Sequence, residues 1–205
     1  MKPHILLLIL IPLIGFFLGR SSPEKKLDYL SSQLNNPDSR LSKSGVWNGA
    51  WKVFVGIGED SQPAIMRSVI ARVGLGANTN EEAIYMSANV DDEGDRLMSN
   101  RNYRITVPAD MYVQEFWSLT VYGEDHYLIH NKADKYAVSS FHDLQKNEDG
   151  TITLILGQKQ MGNEANWLPT SNMEEPISIT LRCYNPRPDM LSNIESISLP
   201  TIEPL

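Results

Sequence analysis

The sequence has little cysteine: Cys183 is the one cysteine among 205 residues. No intrachain disulfide can form, so cysteine usage gives no information on the redox compartment. Cys183 stands in the alternating stretch ISITLRCY, which predicts a β-strand. We therefore expect Cys183 to be a small buried hydrophobic residue rather than a nucleophile.

Positive charge is also scarce. The 18 Lys and Arg residues against 25 Asp and Glu residues give a formal net charge of −7. Binding to nucleic acid depends on clustered Lys and Arg residues that contact phosphates, and the sequence has no basic stripe. The composition therefore argues against a nucleic-acid partner, while 41% hydrophobic and 21% charged residues are typical of a globular domain.

Complete cofactor motifs are absent. The stretch VFVGIGEDSQPAIM imitates a dinucleotide-binding fingerprint, but Ser61 stands where G-x-G-x-x-G requires glycine. Glu59 and Asp60 would place negative charge where a pyrophosphate binds. His126 and His130 lie in HYLIHN, a predicted strand, where they would stand about 13 Å apart, too far for one metal ion. We expect neither a cofactor nor a metal site.

Catalytic motifs are absent as well. The stretch SSFHD, residues 139–143, contains the letters of a Ser-His-Asp triad, but adjacency in sequence is not triad geometry. No G-x-S-x-G elbow is present. No two carboxylates stand in contexts that would separate their pKa values, as an acid/base pair requires.

Long apolar runs are lacking except at the N-terminus, where residues 5–18 read ILLLILIPLIGFFL. This run is shorter than the roughly 20 residues of a full membrane span and fits the apolar region of a signal peptide. Because Leu18, Gly19 and Arg20 form a poor cleavage site, an uncleaved anchor fits equally well. We predict that residues 1–22 are a signal peptide or a membrane anchor that contacts the membrane through residues 5–19. The domain is then anchored in the cell envelope, on the periplasmic or extracellular face, or secreted if the signal is cleaved.

Two helices are predicted after this run. In the stretch SSPEKKLDYLSSQL, leucines recur at intervals of three and four, which predicts a helical stalk or linker over residues 23–44. A second helix is predicted near residues 62–73, where Ser61 can cap it, Pro63 suits its first turn and Gly74 suits its end.

From Ala83 onward the hydrophobic period changes to two. Short alternating stretches such as EFWSLTVYG, TITLILG and ISITLRCY are separated by Gly, Asn, Asp and Pro, which predicts a mainly β domain over residues 45–205, either a sandwich or a barrel. The alternation places Phe116, Ser118, Thr120 and Tyr122 on one face of a strand and Trp117, Leu119 and Val121 on the other.

Aromatic rings near Arg and Asn are a common surface for sugars and other small ligands, because a ring stacks while fixed polar groups orient the ligand. Burial of the same rings in the core is the plainer interpretation. The candidate ligand-binding residues are Tyr85, Arg104, Tyr122, Asn166, Trp167 and Arg182.

The connection GNEANWLPTS between two predicted strands carries a Trp-Leu pair before a proline. In a solvent-exposed linker, the apolar side chains of this pair would gain no stabilisation from burial. We expect Trp167 and Leu168 to fold back and cover an open end of the domain, while the side-chain amide of Asn166 ties the loop and Pro169 fixes its exit.

The order of these stretches resembles one bacterial family, DUF1214, whose function is unknown. The most specific pieces are GLGAN with EEAIY, then FWSLTVY, and NWLP followed by LRCYNP; the resemblance covers about residues 65–188. It implies a jelly-roll-like antiparallel β-sandwich preceded by a short helix, and it implies no established reaction, cofactor or partner. The resemblance also implies that members often carry a companion domain, DUF1254; because an apolar run and a short helical stretch precede the resembling residues, we expect this chain to have no room for it.

These observations predict a membrane-tethered or exported domain with a noncatalytic binding or structural role, and with a small-molecule or carbohydrate ligand. One alternative is a hydrolase or carbohydrate-modifying enzyme whose site lies on a concave sheet face. Another is a subunit that works with a separately encoded companion-domain protein.

Overall fold

A computed structural model gives the structure of the protein and describes residues 25–26, 29–30, 46–62, 64–74 and 76–205. The described residues fall into two compact units. One unit contains residues 25–26, 29–30 and 64–74, and the other contains residues 46–62 and 76–205. The second unit, which we call the β unit, contains all the strands described below.

In the smaller unit, the described residues are helical. Helix α1, Ala64–Val73, lies where the second helix was expected, and the N–H of Gly74 donates to the carbonyl of Ile70 at 2.7 Å. Residues 25–26 and 29–30 are helical within the predicted stalk. The predicted signal peptide or anchor, residues 1–22, lies outside the described residues. Among the helices of the described part of the chain, none combines the length and apolar character that a membrane crossing requires.

The β unit contains ten strands and one further short helix, α2, Pro188–Ser192. In chain order the strands are β1 Val46–Asn48, β2 Trp51–Phe54, β3 Ala83–Ala88, β4 Tyr103–Val107, β5 Trp117–Gly123, β6 Ala137–Ser139, β7 Ile152–Gly157, β8 Trp167–Pro169, β9 Ile177–Tyr184 and β10 Thr201–Pro204.

The strands form two sheets. The six-stranded sheet has the order β1-β2-β3-β9-β5-β6, and every pair in it is antiparallel. The four-stranded sheet has the order β10-β4-β7-β8. Its first two pairs are antiparallel and its last, β7 with β8, is parallel.

One contiguous core is built from both sheets. On β5, the alternation placed Trp117, Leu119 and Val121 on one face; this face is buried, and the three residues oppose buried residues of β9 in register. The four-stranded sheet contributes fully buried side chains such as Leu154 and Leu168 to the same core. Because successive side chains of a strand point to opposite faces, each sheet keeps its second face outside this core. The predicted mainly β architecture with two sheets and a short helix is confirmed.

Three details of the strand prediction were wrong. The sheet that contains β7 and β8 is mixed and not antiparallel, because the connection 158–166 brings the chain back in the direction of β7. The stretch HYLIHN is not a strand; it forms a turn with one isolated bridge, Tyr122 to Leu128, and His126 has a φ of 65°. Strand β10 at the C-terminus was not predicted, because a four-residue segment flanked by prolines carries a weak alternation signal.

The GIG sequence, which imitates a cofactor motif, allows two loops to pack closely together. A Cβ at Gly58 would lie 2.2 Å from the carbonyl oxygen of Asn78, so only glycine fits this close approach. The backbone N–H of Gly56, which has a φ of 73°, donates to the side-chain oxygen of the buried Asn80. The two glycines thus join the loop after β2 to the turn before β3.

Candidate functional site

The outer face of the six-stranded sheet, the face turned away from the core, differs in charge from the rest of the protein. The six strands contain no Asp, Glu or His. Their only charged residues are Lys52 on β2 and Arg182 on β9, and both point outward because their strand neighbours are buried in the core. A protein with a net charge of −7 therefore has a purely positive strand surface here.

Strand register places two of the candidate residues of this face, Tyr85 and Arg182, in one row. Arg182 pairs directly with Tyr85 on β3 and with Ser118 on β5. The row continues to Phe54 on one side and to Ser139 on the other. Neighbouring residues of such a row have Cβ atoms about 5 Å apart, so their side chains can act on one ligand.

Arg182 is held in place by two hydroxyl groups of β5. Its Nη1 donates to Oγ1 of Thr120 at 3.1 Å, and its Nη2 donates to the hydroxyl of Tyr122 at 2.6 Å. The guanidinium carbon lies 5.5 Å from the centroid of the Tyr122 ring. Arg182 and Tyr122 are both half-buried, so the guanidinium is fixed on the sheet and still reaches solvent.

Aromatic rings border this arginine. Tyr184 stacks on Phe116 with centroids 4.2 Å apart, and Phe116 contacts the exposed ring of Phe141 at 4.5 Å. Burial raises the pKa of Tyr184, and the nearby Tyr85 and Tyr122 raise it further, while the positive charge of Arg182 and a hydrogen bond from Ser118 oppose the shift. Tyr184 therefore stays protonated at neutral pH and presents a neutral hydroxyl. We call Tyr85, Tyr122, Arg182 and Tyr184 the tyrosine–arginine cluster.

Lys52 lies one strand beyond Tyr85 on the same face. Its side chain is 6% exposed, and its Nζ lies 5.9 Å from the ring centroid of Trp47 and 5.7 Å from that of Phe54. Burial lowers the pKa of Lys52. Sequence reasoning missed Lys52, although a lysine in the middle of the apolar stretch WKVF was a visible signal.

Two predicted site residues lie on the outer face of the four-stranded sheet instead. Trp167 on β8 pairs with Ile155 on β7, which pairs with Arg104 on β4, so the two residues stand two strands apart. Arg104 is exposed and its Nη1 lies 3.3 Å from Oε2 of Glu203. Trp167 is half-buried and its indole N–H donates to the carbonyl of Gly157 at 2.9 Å.

The sixth predicted residue, Asn166, has a structural position. It is 7% exposed, and its Oδ1 accepts a hydrogen bond from the N–H of Gln145 at 2.8 Å. Its Nδ2 donates to the carbonyls of Gln145 and Thr153, both at 2.8 Å. All these contacts tie the connection before β8 to the protein, as expected for the loop, and they use both amide N–H donors and the side-chain oxygen. The structure thus brings Tyr85, Tyr122 and Arg182 together and places Arg104, Asn166 and Trp167 elsewhere.

A surface cavity of about 490 Å³ lies in another part of the β unit. It shares no residue with the tyrosine–arginine cluster, and its walls combine aliphatic side chains with two glutamates. Its one buried polar side chain, Asn80, is hydrogen-bonded to the backbone of Gly56 and Phe54, so we place the candidate site on the sheet face. The lining residues are Val46, Val55, Glu59, Thr79, Asn80, Glu81, Leu191 and Ile194.

Other residues with catalytic or metal-binding potential serve local structure. The Ser140 hydroxyl accepts from the N–H of Trp117, and the Ser139 hydroxyl accepts from the N–H of Phe141. Nδ1 of His142 accepts from the N–H of Ser139. Within the described ranges, no group of three or more His, Cys, Asp or Glu side chains is arranged to hold a metal ion.

Comparison with known proteins gives a family and a fold. The family model described as "Protein of unknown function (DUF1214)" matches residues 82–188, more than half of the chain. The crystal structure of the VPA0106 protein from Vibrio parahaemolyticus is similar, with a TM-score of 0.57 and 24% sequence identity over 71% of this chain and 36% of that one. This chain thus spans about a third of that protein's length.

A second solved structure has a lower similarity. It is that of an uncharacterized protein from Burkholderia cenocepacia, with a TM-score of 0.42 and 14% identity over 90% of this chain and 43% of that one. No curated protein matches the chain.

Proposed function

We propose, from the premise that this chain belongs to the DUF1214 family of proteins of unknown function, that its β unit is a noncatalytic binding domain. Its ligand lies on the outer face of the six-stranded sheet, against the tyrosine–arginine cluster. One observation carries this proposal: Arg182 is fixed by two hydroxyl groups between aromatic side chains at the centre of a sheet face that has no acidic residue in its strands. A guanidinium oriented in this way beside rings is the kind of fixed polar group that positions a small ligand.

The ionisable groups of the face support binding rather than catalysis. A general acid or base works best when its pKa lies near the operating pH. The strands of this face contribute no carboxylate and no imidazole. The pKa of Tyr184 is raised by burial, which keeps its hydroxyl protonated. Cys183 points into the core, and burial raises the pKa of its thiol to about 12, so it supplies no thiolate.

The proposed location is the cell envelope, with the β unit on the periplasmic or extracellular face. The support is the apolar run over residues 5–18, which has the length of a signal-peptide core and can also act as an anchor. N-terminal sequencing of the protein purified from native membranes and from the secreted fraction tests this location. A mature chain that begins near residue 22 indicates cleavage, and an intact chain in the cytosolic fraction would contradict the proposal.

We describe the two-sheet fold as a jelly-roll-like sandwich. The support is the strand order, because central neighbours such as β3, β9 and β5 are far apart in sequence, as the crossing connections of jelly rolls require.

The binding function is tested with a matched pair of blocking variants. Ser118→Tyr adds a bulky side chain beside Arg182, and Thr106→Tyr adds the same group at a half-buried strand position on the outer face of the other sheet. The full-length chain is screened in detergent against a panel of sugars, organic acids and amines by thermal shift, because a ligand that binds the folded state raises its apparent stability.

We expect at least one ligand to raise the melting temperature of the wild type and of Thr106→Tyr, and not that of Ser118→Tyr. If every stabilising ligand acts equally on both variants, the site is not on this face. The domain would then lack the proposed function.

A second candidate function is that of a subunit for a separately encoded companion-domain protein of the DUF1254 type. Its support is the resemblance of the sequence to DUF1214, whose members often carry such a companion domain. Purification of the tagged chain from its native membranes, followed by mass spectrometry, tests it. Reciprocal recovery of one DUF1254-domain protein at a fixed ratio is the expected result, and recovery of the chain without such a partner would contradict it.

A further inference from the structure

Arg182 differs from the other arginines of the β unit in its partners. Arg96, Arg101, Arg104 and Arg187 each lie within ion-pair distance of a carboxylate. Arg182 has no such partner among the described residues of this unit, and its two side-chain hydrogen bonds go to the neutral hydroxyls of Thr120 and Tyr122. A half-buried guanidinium therefore carries a positive charge that no carboxylate of the described residues balances.

The guanidinium keeps hydrogen-bonding capacity for a ligand. It has five N–H donors in a planar fork, and the two hydroxyl contacts use one donor on each terminal nitrogen. The remaining donors can form the paired, parallel hydrogen bonds that arginine makes with a planar carboxylate.

The neighbours of Arg182 favour a ligand that has a ring as well as a negative charge. Tyr85 stands beside it in register, and Tyr184 presents a ring that is stacked on Phe116 at 4.2 Å. These residues are half-buried, so each retains some exposed surface. A flat ring can stack on such side chains, and the hydroxyls of Ser118 and the tyrosines can bond polar groups on that ring.

We propose that the ligand of this face is a carboxylate attached to a ring, either an acidic sugar or an aromatic acid, with the carboxylate on Arg182 and the ring on the aromatic side chains. This inference rests on the proposed binding function and gives the chemical class of its ligand. The carboxylate supplies the negative charge that the sheet face lacks.

The experiment is an NMR titration of the full-length chain in detergent, followed at the arginine side-chain N–H signals. The acidic probes are D-glucuronate and benzoate, and their matched neutral probes are D-glucose and benzyl alcohol. Inorganic phosphate distinguishes a carboxylate site from one that takes any anion. The variants are Arg182→Gln, Arg182→Lys, and Arg101→Gln as a control for loss of an arginine charge at an exposed position.

We expect at least one acidic probe to shift the Arg182 signal saturably, with an affinity at least about tenfold higher than that of its neutral match or of phosphate. Arg182→Gln should weaken this binding at least about tenfold. Arg182→Lys should weaken it less, because lysine keeps the positive charge but lacks the paired N–H donors of the guanidinium. Arg101→Gln should leave the binding unchanged. Glucuronate binding without benzoate binding identifies an acidic sugar, and the reverse identifies an aromatic acid.

Three results would overturn the carboxylate assignment: no acidic probe binds at Arg182, the neutral match or phosphate binds as tightly, or Arg182→Gln binds the acid as the wild type does. Thermal unfolding of Arg182→Gln and Arg182→Lys verifies that both variants fold. A neutral ligand that Ser118→Tyr blocks would leave the binding function intact while the ligand class fails. Ligands that Ser118→Tyr never blocks would refute the binding function itself.

Discussion

Tyr122 contacts Arg182 in two ways at once. Its hydroxyl accepts a hydrogen bond from Nη2 of the arginine at 2.6 Å, and its ring centroid lies 5.5 Å from the guanidinium carbon. The pair is diagonal across β5 and β9, because the direct partner of Tyr122 is Ser178. The tyrosine therefore restricts the rotamers of Arg182.

The first prediction concerns this restraint. Tyr122→Phe keeps the ring and removes the hydroxyl, so Arg182 loses one of its two fixed contacts. We expect the affinity for the acidic probe that binds best to fall a few-fold, less than in Arg182→Gln, because the guanidinium itself remains. The free energy of unfolding should change by at most about 1 kcal/mol, since the hydrogen bond is partly exposed.

The control for this variant is Tyr127→Phe, which removes a hydroxyl from a residue that is 66% exposed. It should leave both affinity and stability unchanged. Both quantities are measured by titration and by urea unfolding on the same preparations. An affinity of Tyr122→Phe equal to that of the wild type would show that the hydroxyl does not position Arg182.

The alternation of apolar and polar residues was sufficient to predict a mainly β domain, but it left a sandwich and a barrel open as alternatives. On β5 it placed Trp117, Leu119 and Val121 on one face and their neighbours on the other, and the structure shows that the face with these three residues is the core face. Such a pattern depends only on local geometry, since adjacent side chains of a strand point to opposite faces. It contains no information on strand direction, which explains why the parallel pairing of β7 and β8 was not predicted.

The composition of the candidate site could be predicted only in part. The ring and arginine residues were identified by type, but their grouping depends on register between strands that are far apart in sequence. Tyr85 and Arg182 meet because β3 pairs with β9, whereas Arg104 and Trp167 belong to the other sheet. Single-sequence patterns do not determine which distant strands pair, so the two groups could not be separated beforehand.

The second prediction concerns Cys183. Its side chain is fully buried, and burial raises the pKa of the thiol to about 12. A thiol reacts as its thiolate, so the folded protein should not react with a disulfide reagent such as DTNB at pH 8 within an hour. Because this is the one cysteine in the chain, the reagent reports on it alone.

After unfolding in guanidinium, the same thiol should react stoichiometrically, since an exposed cysteine has an ordinary pKa. The time course of reaction in intermediate denaturant then follows the opening of the core around β9. Rapid stoichiometric labelling of the folded chain would contradict the buried position of Cys183.

The third prediction separates the two residues of the Trp-Leu pair. Leu168 is 0% exposed and packs in the common core, whereas Trp167 is half-buried on the outer face of its sheet. Leu168→Ala should therefore lower the free energy of unfolding by about 2–5 kcal/mol, as buried leucine truncations do. Trp167→Phe retains most of the ring and loses the bond to Gly157, which should cost about 1 kcal/mol.

Leu128→Ala serves as the control, because Leu128 is 51% exposed and should change stability by less than about 0.5 kcal/mol. The three variants are compared by chemical denaturation. If Trp167→Phe destabilised the domain more than Leu168→Ala, the indole and not the leucine would be the main packing contribution of β8.

The last prediction assigns Asn166 a structural role. Asn166→Ala removes three hydrogen bonds and leaves the N–H of Gln145 and the carbonyls of Gln145 and Thr153 without their partner. Because the site is buried, the unpaired groups are expected to lower the free energy of unfolding by about 1–3 kcal/mol. Ligand binding at Arg182 should be unchanged, since Asn166 belongs to the connection before β8 and that strand lies in the other sheet.

Asn163→Ala is the matched control: because Asn163 is exposed, this variant should lower the free energy of unfolding less than Asn166→Ala does. An Asn166→Ala protein of wild-type stability with weakened binding would instead make Asn166 a ligand-binding residue.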